Sequence, residues 1–274
     1  MNTLNCRGRL LVVEKPVVMG IINITPDSFY SGSRFVNADQ ALKQVEKMLG
    51  EGATIIDIGG QSTRPGSEMI SMGDEKKRVL PVVDAVCRRF PDCFVSIDTF
   101  YSDVAKDAVD AGASIVNDIS AGSIDDKLID TVAGLDVPYV LMHMKGVPGT
   151  MQDNPVYENV TREVLDFFIR KTSELHHAGI KDIIIDPGFG FGKSIEHNFQ
   201  LLKDLSIFSI LDKPLLVGLS RKSTIWKTLN ITAEESLNGT TVLNTVGLMN
   251  GATMLRVHDV KQAAEAIKLV SQLK

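Results

Sequence analysis

The segment DIIIDPGFGFGKS (residues 182–194) is where the fold is decided. An apolar, β-branched run enters a glycine-rich loop that ends in Gly-Lys-Ser, the order of a nucleotide cradle. A phosphate-binding P-loop, however, carries a glycine five positions before the glycine of Gly-Lys-Ser. Counting back from Gly192 reaches Pro187, which has no N–H to offer a phosphate. A dinucleotide fingerprint fails as well, because Gly188 and Gly190 fit but the next required glycine falls on Lys193. Asp186, closing the apolar run, would be a poor neighbour for phosphate. What remains is a buried strand ending on a carboxylate, a tight loop, and a helix.

That unit recurs from end to end. Short apolar runs lie at residues 17–24, 54–60, 94–98, 114–118, 138–144, 182–186, 215–220 and 253–258. Amphipathic segments fill the gaps at 38–50, 74–90, 102–111, 126–133, 157–178, 195–203, 233–249 and 260–273. Near-continuous apolar strands alternating with helices predict a parallel sheet covered on both faces. Eight such pairs in strict alternation predict a (β/α)8 TIM barrel, an α/β fold, with a doubly wound open sheet as the rival. No linker or low-complexity tract divides residues 1–274, so one domain is expected. The prefix LNCRGRLLVVE (residues 4–14) predicts a hairpin capping the bottom of the barrel.

Composition narrows the class further. With 44% hydrophobic and 23% charged residues, the chain is of ordinary globular make-up. A formal net charge of −5 speaks against a general nucleic-acid binder, which shows a basic surplus. Cys6, Cys87 and Cys93 lack metal-ligand spacing and fit free thiols in a reducing compartment. No apolar run is long enough for a membrane span or a signal peptide, which makes the cytoplasm the expected location.

In such barrels the chemistry gathers at the C-terminal strand ends. Read in order, those ends carry Asn23, Thr63 with Arg64, Asp98, Asn117 with Asp118, His143, Asp186, Lys222, and Arg256 with His258. One Asn or Asp after a strand is an ordinary turn former or helix cap. Polar groups at all eight tips, several of them cationic, point instead to a ligand. Asp98, Asn117, Asp186 and Lys222 combine two carboxylates, an amide and an ammonium, a set that fits a flat 2-amino-4-oxo heterocycle. Arg64, Arg256 and His258, with Thr63 and Asn23, form a donor-rich patch suited to a diphosphate. Asn23 could add its carbonyl oxygen to a Mg²⁺ ion shared with the phosphates.

The segments NITPDSF (residues 23–29), DIGGQSTRPG (57–66), SIDT (96–99), NDIS (117–120), LMHMKGVPGTMQ (141–152), DPGFGFGKS (186–194), GLSRKS (218–223) and RVHDV (256–260) together resemble the dihydropteroate synthase family. The likeness spans essentially the whole chain, and the TPDSF and DPGFGFGK motifs are close to diagnostic of that family. The resemblance implies a folate-pathway transferase that joins a pterin diphosphate to 4-aminobenzoate and is a target of sulfonamides. It implies that Asp98, Asn117, Met142, Asp186 and Lys222 hold the pterin, and that Asn23, Thr63, Arg64, Arg256 and His258 hold the pyrophosphate. Mg²⁺ would sit at Asn23, and Phe29, Pro65, Phe191, Lys222 and Ser223 would form the aminobenzoate pocket. The chemistry would fall to Asp98, Asp186, Lys222, Arg256 and His258, with Asp27 in a lid formed by the first loop. The resemblance also implies a homodimer.

Two positions depart from the family pattern: Ser31 replaces a loop aspartate, and Gln61, which looks peripheral, replaces a glutamate. His143 either lines the site or braces it, Lys193 has no assigned role, and the adjacent His176 and His177 point apart on a helix surface. Two other readings stay open, a methyltetrahydrofolate-binding methyltransferase-type barrel and a non-catalytic pterin-binding relative. The first has no diphosphate to hold, so Arg64, Arg256 and His258 count against it.

Overall fold

The structure of the protein, a computed structural model, describes residues 2–24, 34–61, 69–146, 151 and 155–273, with backbone alone over 34–37. Eight parallel strands form one sheet: β3 (Val17–Asn23), β4 (Ile55–Gly59), β5 (Phe94–Asp98), β6 (Ile115–Asp118), β7 (Tyr139–Met142), β8 (Ile183–Asp186), β9 (Leu216–Val217) and β10 (Met254–Val257). Their order, β8-β7-β6-β5-β4-β3-β10-β9, leaves β8 and β9 at the two ends. A parallel bridge between Ile185 and Leu215 joins those ends, and the Ile185 amide donates to the Pro214 carbonyl at 2.9 Å. The sheet therefore closes into the expected barrel, and the open-sheet rival fails.

The strands read as unbroken apolar runs because both faces are covered. β4, β5's last four residues, β6, β7 and β8 are buried throughout. Helices α1 (Arg34–Gly50), α2 (Met72–Arg89), α3 (Ser102–Asp110), α4 (Leu128–Leu135), α5 (Val160–His177), α6 (Ile195–Lys203), α7 (Ser223–Leu229), α8 (Leu237–Met249) and α9 (Val260–Val270) wrap the outside. Helix α2 starts where the Ser71 side chain accepts from the Asp74 amide, and α6 where Ser194 and His197 form a capping box.

The predicted hairpin is present as β1 (Asn2–Cys6) paired with β2 (Arg9–Val13). Its inward residues Leu4, Cys6, Leu11 and Val13 pack on Met19, Ile55, Val140 and Met254, the bottom layer of the barrel interior. Arg9 pins it by donating to Cys93 O at 2.8 Å and by lying 4.3 Å over the Phe94 ring. All three cysteines are free, and burial pushes the Cys6 and Cys93 thiols up to about 12.

Several bounds differ from expectation, and β9 keeps only Leu216–Val217 of the run expected over 215–220. The segment predicted as one helix over 233–249 is a 3₁₀ turn (Glu234–Ser236) followed by α8. The short helix α7 was not among the periodic segments, because seven residues between turns carry too little amphipathic signal.

Candidate active site

The strand register sets the level of the site. Asn23 pairs with Gly59, Gly59 with Asp98, and Asp98 with Asn117, so these positions sit side by side around the barrel mouth. Gly59 leaves room where it is needed, because a Cβ there would lie 3.3 Å from the Asp98 Cβ. Met142 and Asp186 pair in the same way on the opposite wall.

Arg256 ties the acidic residues together. Its Nε donates to Asp57 Oδ2 at 2.7 Å and its other arm to Asp98 Oδ2 at 2.6 Å. Asn117 Nδ2 also donates to Asp57 Oδ2, at 3.0 Å. Burial opposes the guanidinium's charge, but Asp57 and Asp98 more than offset it, so Arg256 stays protonated. Burial raises the Asp98 carboxyl against the pull of Arg256, with Asp57, Asp118 and Asp186 adding repulsion. Arg256 therefore does not stand apart with the cationic patch. It bridges from that patch to the carboxylates.

Asp57 is the residue that sequence reading missed. It is fully buried and lies inside the apolar run of β4 rather than at its tip. The signal was an aspartate facing inward within a strand otherwise made of isoleucine and glycine. Asp118, by contrast, is a brace: it accepts from the Ser120 amide at 2.7 Å, the Gly122 amide at 2.7 Å and the Tyr139 hydroxyl at 2.6 Å.

The opening segment forms the opposite wall. Asp186 Oδ1 accepts from the Gly188 amide at 2.8 Å, and burial raises its pKa while Lys222 and that amide oppose the rise. Lys222 Nζ donates to Phe189 O and lies 4.5 Å over the Phe191 ring. Burial, countered by Asp186, brings the Lys222 ammonium down to about 8. Met142 and Phe191 are buried in one cluster with Phe100, Ile119 and Met151, an apolar floor beside the charged rim.

The loop after β9 places Lys222 through its neighbour. Arg221 adopts a φ of 56°, uncommon for a residue with a side chain. A bidentate pair with Asp259, at 2.8 Å on both arms, and a bond to Glu234 O at 2.9 Å hold it there. Ser223 then opens α7, with Lys222 at the cap position. His258 is exposed at the mouth, its Nδ1 3.0 Å from Ser220 Oγ.

Three readings change. Gln61 is not peripheral: it is buried, and its Oε1 accepts from the Ile70 amide at 2.9 Å, closing the end of the second loop. His143 is a brace, buried against the edge of Phe167 with ring centroids 4.9 Å apart and hydrogen-bonded to Lys193. Lys193 gains a definite place, fully inside the protein. His176 and His177 are exposed, as expected. The expectations for Asp27, Phe29, Ser31, Thr63, Arg64 and Pro65 fall outside the described residues.

Among the described residues no cluster of three acidic, His or Cys side chains could hold a metal ion. Asn23, exposed at the end of β3, offers one amide oxygen. That is a donor set for Mg²⁺ brought in with a phosphate, since this ion keeps waters and binds few protein ligands.

Against known proteins, the chain matches the pterin binding enzyme family over residues 19–258. It is 45% identical over 268 residues to the dihydropteroate synthase of Haemophilus influenzae, covering 97% of both chains. A Yersinia pestis dihydropteroate synthase solved as a sulfonamide drug complex matches with a TM-score of 0.93 and 41% identity, over 99% of each chain. The Xanthomonas albilineans dihydropteroate synthase in complex with 7,8-dihydropteroate matches with a TM-score of 0.89 and 36% identity, over 99% of this chain and 98% of that one. A closed barrel with a carboxylate-lined mouth, and a likeness that runs the full length of both chains, lead to one conclusion: the chain belongs to the pterin-binding enzymes, among the dihydropteroate synthases.

Proposed function

We propose that the chain condenses 6-hydroxymethyl-7,8-dihydropterin diphosphate with 4-aminobenzoate to give 7,8-dihydropteroate and pyrophosphate. The observation that carries this is the convergence of Asp98, Asn117, Asp186, Lys222 and Arg256 on one barrel mouth. Asp98 and Asp186 accept the N–H donors of the pterin, Asn117 donates and accepts beside them, and Lys222 donates to the ring carbonyl. Met142 packs against the flat ring.

The reaction proceeds by loss of the leaving group before attack. The C–O bond breaks with its electron pair going to pyrophosphate, and the buried carboxylates favour the positive charge that spreads over the pterin. Arg256, His258 and Arg64, with Thr63 and Asn23, take up the charge on the departing oxygens. Asn23 would hold a Mg²⁺ ion, which would supply further neutralisation there. The neutral arylamine attacks the cation, forms the C–N bond and loses a proton, which needs no strong general base. Phe29, Pro65 and Phe191 clamp the aminobenzoate ring, and Ser223 and Lys222 face its carboxylate. Sulfonamides would occupy the same pocket.

The chain works as a homodimer. Val242, Val246 and Met249 line one exposed stripe of α8, at 52%, 37% and 54% exposure, where a second copy would cover them. No helix among the described residues is long and apolar enough to cross a membrane.

Pyrophosphate release that requires pterin diphosphate, 4-aminobenzoate and Mg²⁺ together tests the reaction. Binding of pterin diphosphate without turnover would favour the non-catalytic reading. Sedimentation of wild-type protein against Val246→Asp tests the dimer, which predicts a shift to monomer.

A further inference from the structure

Lys193, the lysine of the Gly-Lys-Ser triplet, is 2% exposed, although lysine is almost never fully buried unless paired. Its Nζ donates to the carbonyls of Gly188 at 3.0 Å, Phe191 at 3.1 Å and His143 at 3.2 Å, and lies 3.0 Å from His143 Nδ1. Burial, with Lys193 beside it, holds that imidazole down at about 2, so it is a neutral acceptor, and burial likewise holds the Lys193 amine well below the usual lysine range. The cage contains no carboxylate. Its oxygens come from two separate loops, one leaving β7 and one leaving β8.

Those loops meet more closely than side chains allow. A Cβ on Gly188 would fall 1.9 Å from His143 O, and one on Gly192 would fall 2.2 Å from Lys145 O. The Lys193 amino group fills the seam beneath the turn at residues 188–191. Asn198 holds the same turn by accepting from the Gly190 amide at 2.7 Å. From the mouth, the turn is held by Lys222, through Phe189 O and the Phe191 ring. If Lys222 serves the pterin carbonyl, it can no longer serve Phe189 in the same way, and the turn then relies on the grip from below.

We infer that Lys193 is a positioning residue for the arylamine half of the site, its buried amino group fixing the Phe191 wall through the Phe191 and Gly188 carbonyls. This rests on the reaction proposed above. Asp186 stands on the strand itself, so the pterin side depends less on the cage.

The test is Lys193→Met, which keeps the length of the side chain and removes every donor, with wild type run in parallel. The KM for 4-aminobenzoate is expected to rise tenfold or more, while the Kd for pterin diphosphate moves less than threefold. A KM within twofold of wild type, or equal losses for both substrates, would overturn the inference. Lys193→Gln keeps two N–H donors at the cage and should give a smaller rise of the same selectivity. If Lys193→Met does not fold, Lys193→Gln decides by the same criterion. Absence of wild-type turnover would count against the reaction, whereas wild-type turnover with an unchanged variant KM counts against Lys193 alone.

Discussion

Arg256 and Asp57 meet at 2.7 Å, and Asp57 has no exposed surface. The other Asp57 oxygen, Oδ1, is buried without a hydrogen-bond partner among the described residues, so this carboxylate depends on Arg256 and Asn117. Removing one member of a buried ion pair strands the other, which costs about 3–5 kcal/mol. Asp57→Ala is therefore expected to lower stability by that order, read as a shift in the urea midpoint at unchanged slope. Because Arg256 also holds Asp98, turnover should fall at least tenfold in whatever protein remains folded. A variant with wild-type midpoint and rate would show that the pair carries neither load.

Asp186 makes a sharper case because its backbone partner can survive substitution. Asp186→Asn can keep the Gly188 bond through the amide oxygen but loses the charge that two N–H donors of a pterin would meet. Hydrogen bonds to charged groups contribute about 1.5–3 kcal/mol. The Kd for the pterin diphosphate is expected to rise at least tenfold by calorimetry, with little change in melting temperature. Unchanged affinity would remove Asp186 from pterin binding.

The barrel was legible because buried parallel strands write themselves as apolar runs with polar ends, and eight of them occur in strict alternation. The site was legible where its residues sit at those ends, as Asp98, Asn117, Asp186 and Lys222 do. Asp57 escaped because it lies two residues inside β4, and only the tips were searched. Lys193 escaped for a different reason. Nothing in a loop's sequence says that its lysine turns inward, and only the meeting of two glycine-lined loops makes an interior cage for it. Arg256 was recognised, but its dual grip on Asp57 and Asp98 depends on side-chain reach across three strands, which strand-end reading does not resolve.

The Lys222 ammonium, brought down to about 8 chiefly by burial, sets a pH limit on substrate capture. Below that pH it is charged and can donate to the pterin carbonyl. Above it the charge is lost. The kcat/KM for pterin diphosphate is expected to fall as pH rises through about 8, and Lys222→Arg, charged at any working pH, should flatten that fall whatever its overall rate. An alkaline limb that persists in Lys222→Arg would assign the titration elsewhere. Glu75, which titrates in the same range, is the first alternative, and Glu75→Gln tells the two apart.

Glu75 is a fully buried carboxyl on α2, packed beneath Gly60. Neither oxygen makes a hydrogen bond of ordinary geometry among the described residues, although Thr99 lies near enough to oppose the shift. Burial, with Asp98 adding repulsion and Arg78 opposing, pushes its pKa up to about 8 from 4.5. The sign of the linkage follows from which state holds the proton more tightly. Between about pH 4.5 and 8 the folded chain keeps the proton that the unfolded chain has released. The stability this residue permits is therefore complete below about pH 4.5 and is lost as pH rises to 8, at about 1.4 kcal/mol per pH unit. Glu75→Gln stays neutral and should escape that loss. Unfolding free energies from urea melts at pH 5, 6, 7 and 8 are expected to diverge steadily in favour of the variant. Parallel curves would mean that Glu75 is already ionised in the folded protein.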